Sequence, residues 1–323
     1  MTGAAAQRCL ALSGGVGGAK LALGLSRILP PDDLLVVANT GDDFEHLGLL
    51  VCPDIDTVSY TLAGLNNPET GWGRADESWH FMETLAAIGG ETWFRLGDHD
   101  LAVHLERTRR IAAGETLSNV TRDIARRLGV RTGVAPMSDR PVRTIVETPD
   151  GPLPFQHYFV REQCAPSVTG FRFEGADAAR PAPAFAAALR GGVSAVVICP
   201  SNPFISIDPI LAVPGVRQGL RRCGAPVIAV SPIVGGRAIK GPTAKMMTEL
   251  GLASGAVEVA EHYRGVIDGF VLDRSDAADA EAVRGLGMAV LVTETVMQSL
   301  DDKTRLAREV LDFARIVAPS ATR

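Results

Sequence analysis

Two pairs of carboxylates stand close together in this chain: Asp42 and Asp43 in "NTGDD" (39–43), and Asp54 and Asp56 in "CPDIDTVSYTLAG" (52–64). Four carboxylates meeting at one site repel one another unless a cation neutralises them. Magnesium is the natural partner, because it accepts one or two carboxylates and completes its shell with phosphate oxygens and waters. One of the four can instead cap a helix through its side chain. Ahead of them lies "LSGGVGGAK" (12–20), with Gly14, Gly15, Gly17 and Gly18 between an apolar run and a helical pattern. It satisfies neither standard phosphate fingerprint. Lys20 follows Ala19 and precedes Leu21, so the Walker A glycine–lysine–hydroxyl order fails, and the third glycine of a dinucleotide loop is replaced by Lys20. What remains is close backbone approach at glycine and the positive end of a helix, both suited to an anion, with Lys20 expected in the first turn.

Two later loops offer more anion donors. "CPSNPFISIDPIL" (199–211) brings Ser201 and Asn202, and "SPIVGGRAIKGPTAKMM" (231–247) brings Gly235, Gly236, Arg237, Lys240 and Lys245. A local cluster of cations in an acidic chain is a feature anions exploit. Trp72, Trp93 and Phe94 supply flat apolar surface for a ring system, with Arg95 and Asp98 beside them to orient polar edges. His99 and His104 are five apart rather than four, and the six histidines show no zinc pattern. Neither a nucleophile elbow nor a zinc-protease motif occurs.

Positioning these groups at one edge requires parallel strands. Near-continuous apolar runs at 8–13, 33–43, 193–204, 225–236, 269–273 and 288–293 read as strands covered on both faces. Helical patterns alternate with them, beginning with Leu21, Leu25 and Leu29. The expected fold is α/β: a Rossmann-like, mostly parallel sheet with helices on both faces and an inserted smaller α+β domain. The sheet domain is expected over 1–97 and 185–323. The insert, 98–184, starts helical and turns to short strands around "TPDGP" (148–152).

The chain has 323 residues and a net charge of −5, which disfavours nonspecific nucleic-acid binding. Its five cysteines form no CxxC pair and read as buried reduced thiols. No apolar stretch reaches spanning length, and the N-terminus lacks a signal-peptide pattern, so a cytoplasmic location and no membrane partner are expected.

"SGGVGGAK", "NTGDD", "CPDIDTVSYTLAG", "GWG", "WFRLGDHDLAVHLERT", "PMSD", "SNPFISIDPIL" and "SPIVGGRAIKGPTAKM", in this order from Leu10 to about Met247, together resemble the 2-phospho-L-lactate transferases (CofD/FbiA) of coenzyme F-420 biosynthesis. The resemblance implies a usually dimeric, magnesium-dependent enzyme. Such an enzyme moves a phospho-acid from a guanosine-diphospho donor to the ribityl hydroxyl of the deazaflavin Fo and releases GMP. The donor would come from a guanylyltransferase, and its acid is phospholactate, phosphoenolpyruvate or phosphoglycerate. The resemblance points to Asp56 and Arg95 as Fo contacts, with Trp93 beside them. Asp43 and Asp56 are the expected metal ligands and catalytic residues, supported by Asp42 and Asp54. Gly14 to Gly18, Lys20, Ser201, Asn202, Gly235, Gly236, Arg237 and Lys240 would hold the donor, with the guanine and phosphate loops unassigned. The rival readings are a non-catalytic nucleotide-sugar-binding regulator of the gluconeogenesis-factor type and a NAD-dependent oxidoreductase. The aspartate pairs with "WFRLGD" count against the first; the failed dinucleotide fingerprint counts against the second.

Overall fold

A computed structural model describes residues 8–239, 241–317 and 319. Among the described residues fourteen strands run in chain order: β1 (Cys9–Ser13), β2 (Leu34–Ala38), β3 (Phe44–His46), β4 (Leu49–Val51), β5 (Gly133–Pro136), β6 (Arg143–Glu147), β7 (Leu153–Pro154), β8 (Gly170–Glu174), β9 (Ala195–Ile198), β10 (Val227–Val230), β11 (Ile233–Val234), β12 (Arg237–Ala238), β13 (Gly269–Asp273) and β14 (Ala289–Thr293). Seven of them form one sheet in the order β14-β13-β10-β9-β1-β2-β5, with every pairing parallel. Counted among themselves, these seven follow the doubly wound order 3-2-1-4-5-6 with one strand added at the far edge. The direction of winding therefore reverses between β1 and β9, and such a switch point is where open α/β sheets bind ligands.

The side-chain period of two sorts each strand between two cores. Leu10 and Leu12 of β1 join Val37, Val196, Ile198, Val227 and Ala229 on one face. Cys9 and Ala11 join Val36, Ala38, Val197 and Ile228 on the other. That double burial is why these strands read as unbroken apolar runs. The six runs expected to be strands all enter this sheet. Four of the five cysteines are buried and all five are free. No described helix is long and apolar enough to cross a membrane.

Five helices position the site: α1 (Gly15–Ile28), α2 (Pro53–Ala63), α3 (His80–Ala87), α4 (Asp98–Ala112) and α5 (Leu117–Arg127). α1 packs against the helix Leu300–Ile316, and a Cβ on Gly24 would lie 2.0 Å from the Lys303 carbonyl. α2 starts with Pro53 in its first turn and ends on Gly64 at φ +71°, the left-handed cap glycine favours.

The segment 98–184 divides. Gly133–Pro136 is an edge strand of the main sheet, paired with β2, and α5 carries Leu117 and Ala125 into the core on one face of that sheet. Only from Arg143 does a separate element appear, the antiparallel sheet β7-β6-β8. β6 and β7 pair across the "TPDGP" turn.

Candidate active site

At the carboxyl end of β1 the backbone passes straight into α1, so the glycines lie within the helix start rather than in a free loop. A Cβ on Gly17 would lie 2.3 Å from the Pro200 carbonyl oxygen; one on Gly18 would meet the Ser13 and Ser201 hydroxyls. One on Gly14 would strike Ser206 and Asp54. These three glycines serve close packing. Gly15 differs: its φ is +61° and nothing lies within 4 Å of its Cβ position, so it alone of the four opens onto free space. Gly17→Ala should therefore destabilise the protein by about 2 kcal/mol through backbone overpacking, while Gly15→Ala should cost about 1 kcal/mol of left-handed strain. Urea unfolding of both variants checks the order; equal losses would overturn it.

The switch point is tied shut from both sides. The Gly14 amide donates to the Ser201 hydroxyl at 3.1 Å, and that hydroxyl donates back to the Gly14 carbonyl at 2.8 Å. Asn202 accepts from the Phe204 and Ile205 amides and caps the turn after it. Ser201, expected to hold the donor, thus spends its hydroxyl on joining the β1 and β9 loops, and Asn202, expected beside it, spends its side-chain oxygen on its own turn. Lys20, expected at an anion, donates to the Met297 carbonyl at 3.0 Å. Gly235 and Gly236 have φ of +57° and +71° and form the two-residue turn of the hairpin β11-β12, where two positive φ angles are required. The Gly235 amide donates to Asp276, and Arg237 is exposed on the hairpin. Lys245 is held by Glu249, the Tyr158 hydroxyl and the Pro166 carbonyl. Lys240 lies outside the described residues.

The aspartates do converge. Asp54 accepts from the Gly15 amide at 2.7 Å and from the Asn39 amide group at 2.9 Å, linking the ends of β1 and β2 to the first turn of α2. Negative groups in that turn complement the helix dipole. Asp42, Asp43, Asp54 and Asp56 are all buried. Burial pushes Asp43 up to about 7, with Arg143, Cys52 and Arg107 pulling the other way. Asp54 is raised to about 6 by burial, against its hydrogen bonds from Asn39 and Gly15. Asp42 is raised well above the ordinary range by burial and by Asp54 beside it.

One carboxylate oxygen on each of Asp42 and Asp43 is buried without a hydrogen-bond partner, as are the hydroxyls of Ser13, Thr40 and Thr144. Unsatisfied polar atoms gathered at one strand edge call for a ligand or ion. The donor set, carboxylate and hydroxyl oxygens only, suits a hard divalent cation. Among the described residues no group of three or more His, Cys, Asp or Glu forms a ready-made metal cage. An ion that shares its shell with phosphate and water needs none.

Asp56 has a partner that sequence reasoning missed. Arg107, on α4 and 1% exposed, grips both of its carboxylate oxygens, one at 3.1 Å. Arg107 also donates to Nδ1 of His104 at 3.2 Å. A guanidinium can only donate, so that ring nitrogen is an acceptor and His104 is the neutral tautomer carrying its proton on Nε2. Burial agrees, holding His104 down at about 4 against the pull of Asp56. The available signal was periodic: Asp100, His104 and Arg107 share one face of α4 at i, i+4 and i+7.

Trp93 meets His46, His157, Phe44 and Phe94 edge-on or tilted, with ring centroids 4.9 to 6.0 Å away. Arg95 is exposed and lies 4.1 Å over the Trp79 ring. Asp98 instead caps α3, accepting from the Ser78 hydroxyl and the His80 and Phe81 amides.

Comparison with known proteins bears on the family and the fold. The profile of the family described as 2-phospho-L-lactate transferase CofD matches residues 9–309. A protein of Streptomyces coelicolor named phosphoenolpyruvate transferase is 42% identical, covering 96% of this chain and 99% of its own. One of the same name from Nocardia farcinica is 37% identical, covering 96% and 95%. A solved structure of a UPF0052-family protein from Bacillus halodurans shares the fold, with TM-score 0.62 at 16% identity, covering 96% of this chain and 100% of that one. A sheet wound to a switch point, a buried acidic rim and a family match across nearly the whole length lead to one assignment: the chain belongs to the CofD 2-phospho-L-lactate transferase family, phospho-acid transferases of coenzyme F-420 biosynthesis.

Proposed function

We propose that this enzyme transfers a phosphoenolpyruvyl group from a guanosine-diphospho donor to the terminal ribityl hydroxyl of the deazaflavin Fo, releasing GMP. The acid follows the names of the relatives in Streptomyces and Nocardia. The observation that carries the reading is the buried acidic rim, where Asp42 and Asp43 each keep an unpaired oxygen and Asp54 accepts from the amide of Gly15, the one glycine of its loop that opens onto free space. A site of this make-up suits a polyanion that arrives with a divalent cation and has little use for a neutral ligand.

On this reading the hydroxyl oxygen of Fo attacks the acid-bearing phosphorus, and the bond from that phosphorus to the oxygen of GMP breaks. The electron pair leaves with GMP, and the hydroxyl proton passes to a carboxylate oxygen of Asp56. That oxygen retains lone-pair capacity beside its hydrogen bond from Arg107. Asp42 and Asp43 would hold magnesium, which when bound offsets the charge of the phosphoryl oxygens. The Gly15 amide is already committed to Asp54, so the open backbone there admits the diphosphate through space while Asp54 keeps the turn rigid. Alignment contributes most of the remaining acceleration in phosphoryl transfer. Trp93 and Arg95 would face the deazaflavin ring. A guanylyltransferase would supply the donor, and the assembly would be a homodimer.

The test combines the purified enzyme with magnesium, Fo and each guanylylated phospho-acid in turn, with mass spectrometry of the product. The phosphoenolpyruvyl product should form fastest, with stoichiometric GMP. Arg95→Ala should weaken Fo binding, read from the fluorescence of Fo, by about tenfold or more, as expected for a lost charged contact. Preference for another acid would overturn the donor assignment; Fo binding with no product from any acid would overturn the transferase reading.

A further inference from the structure

Arg107 stands on a helix, outside the glycine and aspartate loops, yet it is the largest of the fully buried side chains among the described residues. α4 brings it to the acidic rim by two hydrogen bonds to the β3-β4 hairpin. The Thr108 hydroxyl accepts from the Leu50 amide at 2.7 Å, and Arg107 itself donates to the Leu50 carbonyl at 3.4 Å. Its fork then closes on Asp56, and neutral His104 backs the same nitrogen. A bidentate guanidinium fixes a carboxylate in plane as well as in place, which an ammonium does not do. The four aspartates are thereby divided. Asp54 is committed to Gly15 and Asn39 and Asp56 to Arg107, while Asp42 and Asp43 each keep an unpaired oxygen.

We propose that Arg107 is a positioning residue: its grip fixes the Asp56 carboxylate toward the acceptor hydroxyl and withholds it from the cation held by Asp42 and Asp43. This rests on the reading above that Asp56 meets the acceptor. It also changes the role expected of Asp56 from sequence, where metal and acceptor were both assigned to it.

The experiment is a double-mutant cycle with a cation-binding arm. Arg107→Lys keeps the charge and loses the fork, and should lower kcat at least tenfold with the KM for Fo within about threefold. Arg107→Met and Asp56→Asn should each be slow. Their combination should be no slower than Asp56→Asn alone, and it should unfold at a higher temperature than Arg107→Met, because the stranded carboxylate is gone. Manganese affinity in the presence of GDP, read by electron paramagnetic resonance, should stay within about threefold of wild type in Asp56→Asn and fall more than tenfold in Asp43→Asn. Losses that multiply in the double variant, or a wild-type rate in Arg107→Lys, would overturn the positioning role. Equal loss of manganese in Asp56→Asn and Asp43→Asn would overturn the division of the carboxylates. Wild-type transfer by Asp56→Asn would instead overturn the underlying reading of Asp56, whatever Arg107 does.

Discussion

Asp43→Asn should abolish transfer and at the same time make the chelator-treated protein more stable above neutral pH. The sign follows from where this carboxyl titrates. Burial raises it to about 7, against an ordinary value of 3.8. Below pH 4 it is protonated in both the folded and unfolded chain and contributes no difference. Between about 4 and 7 the folded chain keeps a proton that the unfolded chain has lost, so stability falls as pH rises through that window. Above 7 the folded chain carries a buried, incompletely compensated anion. A displacement of that size corresponds to a ceiling of about 4 kcal/mol, and a gain of a few kcal/mol is expected from the asparagine. Urea unfolding at pH 5 and pH 8 checks it: the advantage of the variant should be small at pH 5 and full at pH 8. Added magnesium should stabilise the wild type more than the variant, which keeps only the unpaired oxygen of Asp42 to receive it. A variant less stable than wild type at pH 8, or one that retains turnover, would remove Asp43 from the cation site. Stored strain of this kind is what a binding site trades for function.

The sheet was legible because its strands are covered on both faces, so each wrote an uninterrupted apolar run. The aspartates were legible as a group because strand ends and a helix start bring 39–43 and 54–56 to one edge. What each glycine does was not legible. Gly17 and Gly15 look alike in sequence, and the difference lies in the Pro200 carbonyl, which stands against one and not the other. Gly235 and Gly236 read as backbone donors beside clustered cations, and nothing in the sequence shows that they also turn a two-residue hairpin with the Gly235 amide on Asp276. Lys20 has the right charge for an anion, yet its ammonium reaches the Met297 carbonyl, far off along the chain. Arg107 was hidden for a related reason. It stands among Arg109 and Arg110, which pair with the exposed Glu106 and Glu115, and only the register of α4 against the β3-β4 hairpin tells the buried arginine from the solvated ones.

Asp56→Asn should also abolish transfer, by a factor of about 10³ or more if it removes both the proton acceptor and the oriented anion, but its effect on stability should have the opposite sign. The substitution leaves the Arg107 guanidinium buried, with only the carbonyl of the introduced asparagine, His104, the Leu50 carbonyl and the more distant Asp43 to receive its protons. Breaking a buried pair from one side costs about 3–5 kcal/mol, and the variant should unfold at lower denaturant while keeping the wild-type fold by circular dichroism. The two asparagine variants differ in opposite directions because the two carboxylates are held differently: Asp56 is gripped by Arg107, and Asp43 keeps an unpaired oxygen. Stability at pH 8 without magnesium therefore separates their roles before any substrate is added. Wild-type stability in Asp56→Asn would mean that the Arg107 pair carries no weight in the fold. Turnover within tenfold of wild type would mean that the acceptor proton goes elsewhere, and the search for its acceptor would move to Asp100, a carboxyl raised to about 7 by burial and by Asp56 on the same side of α4.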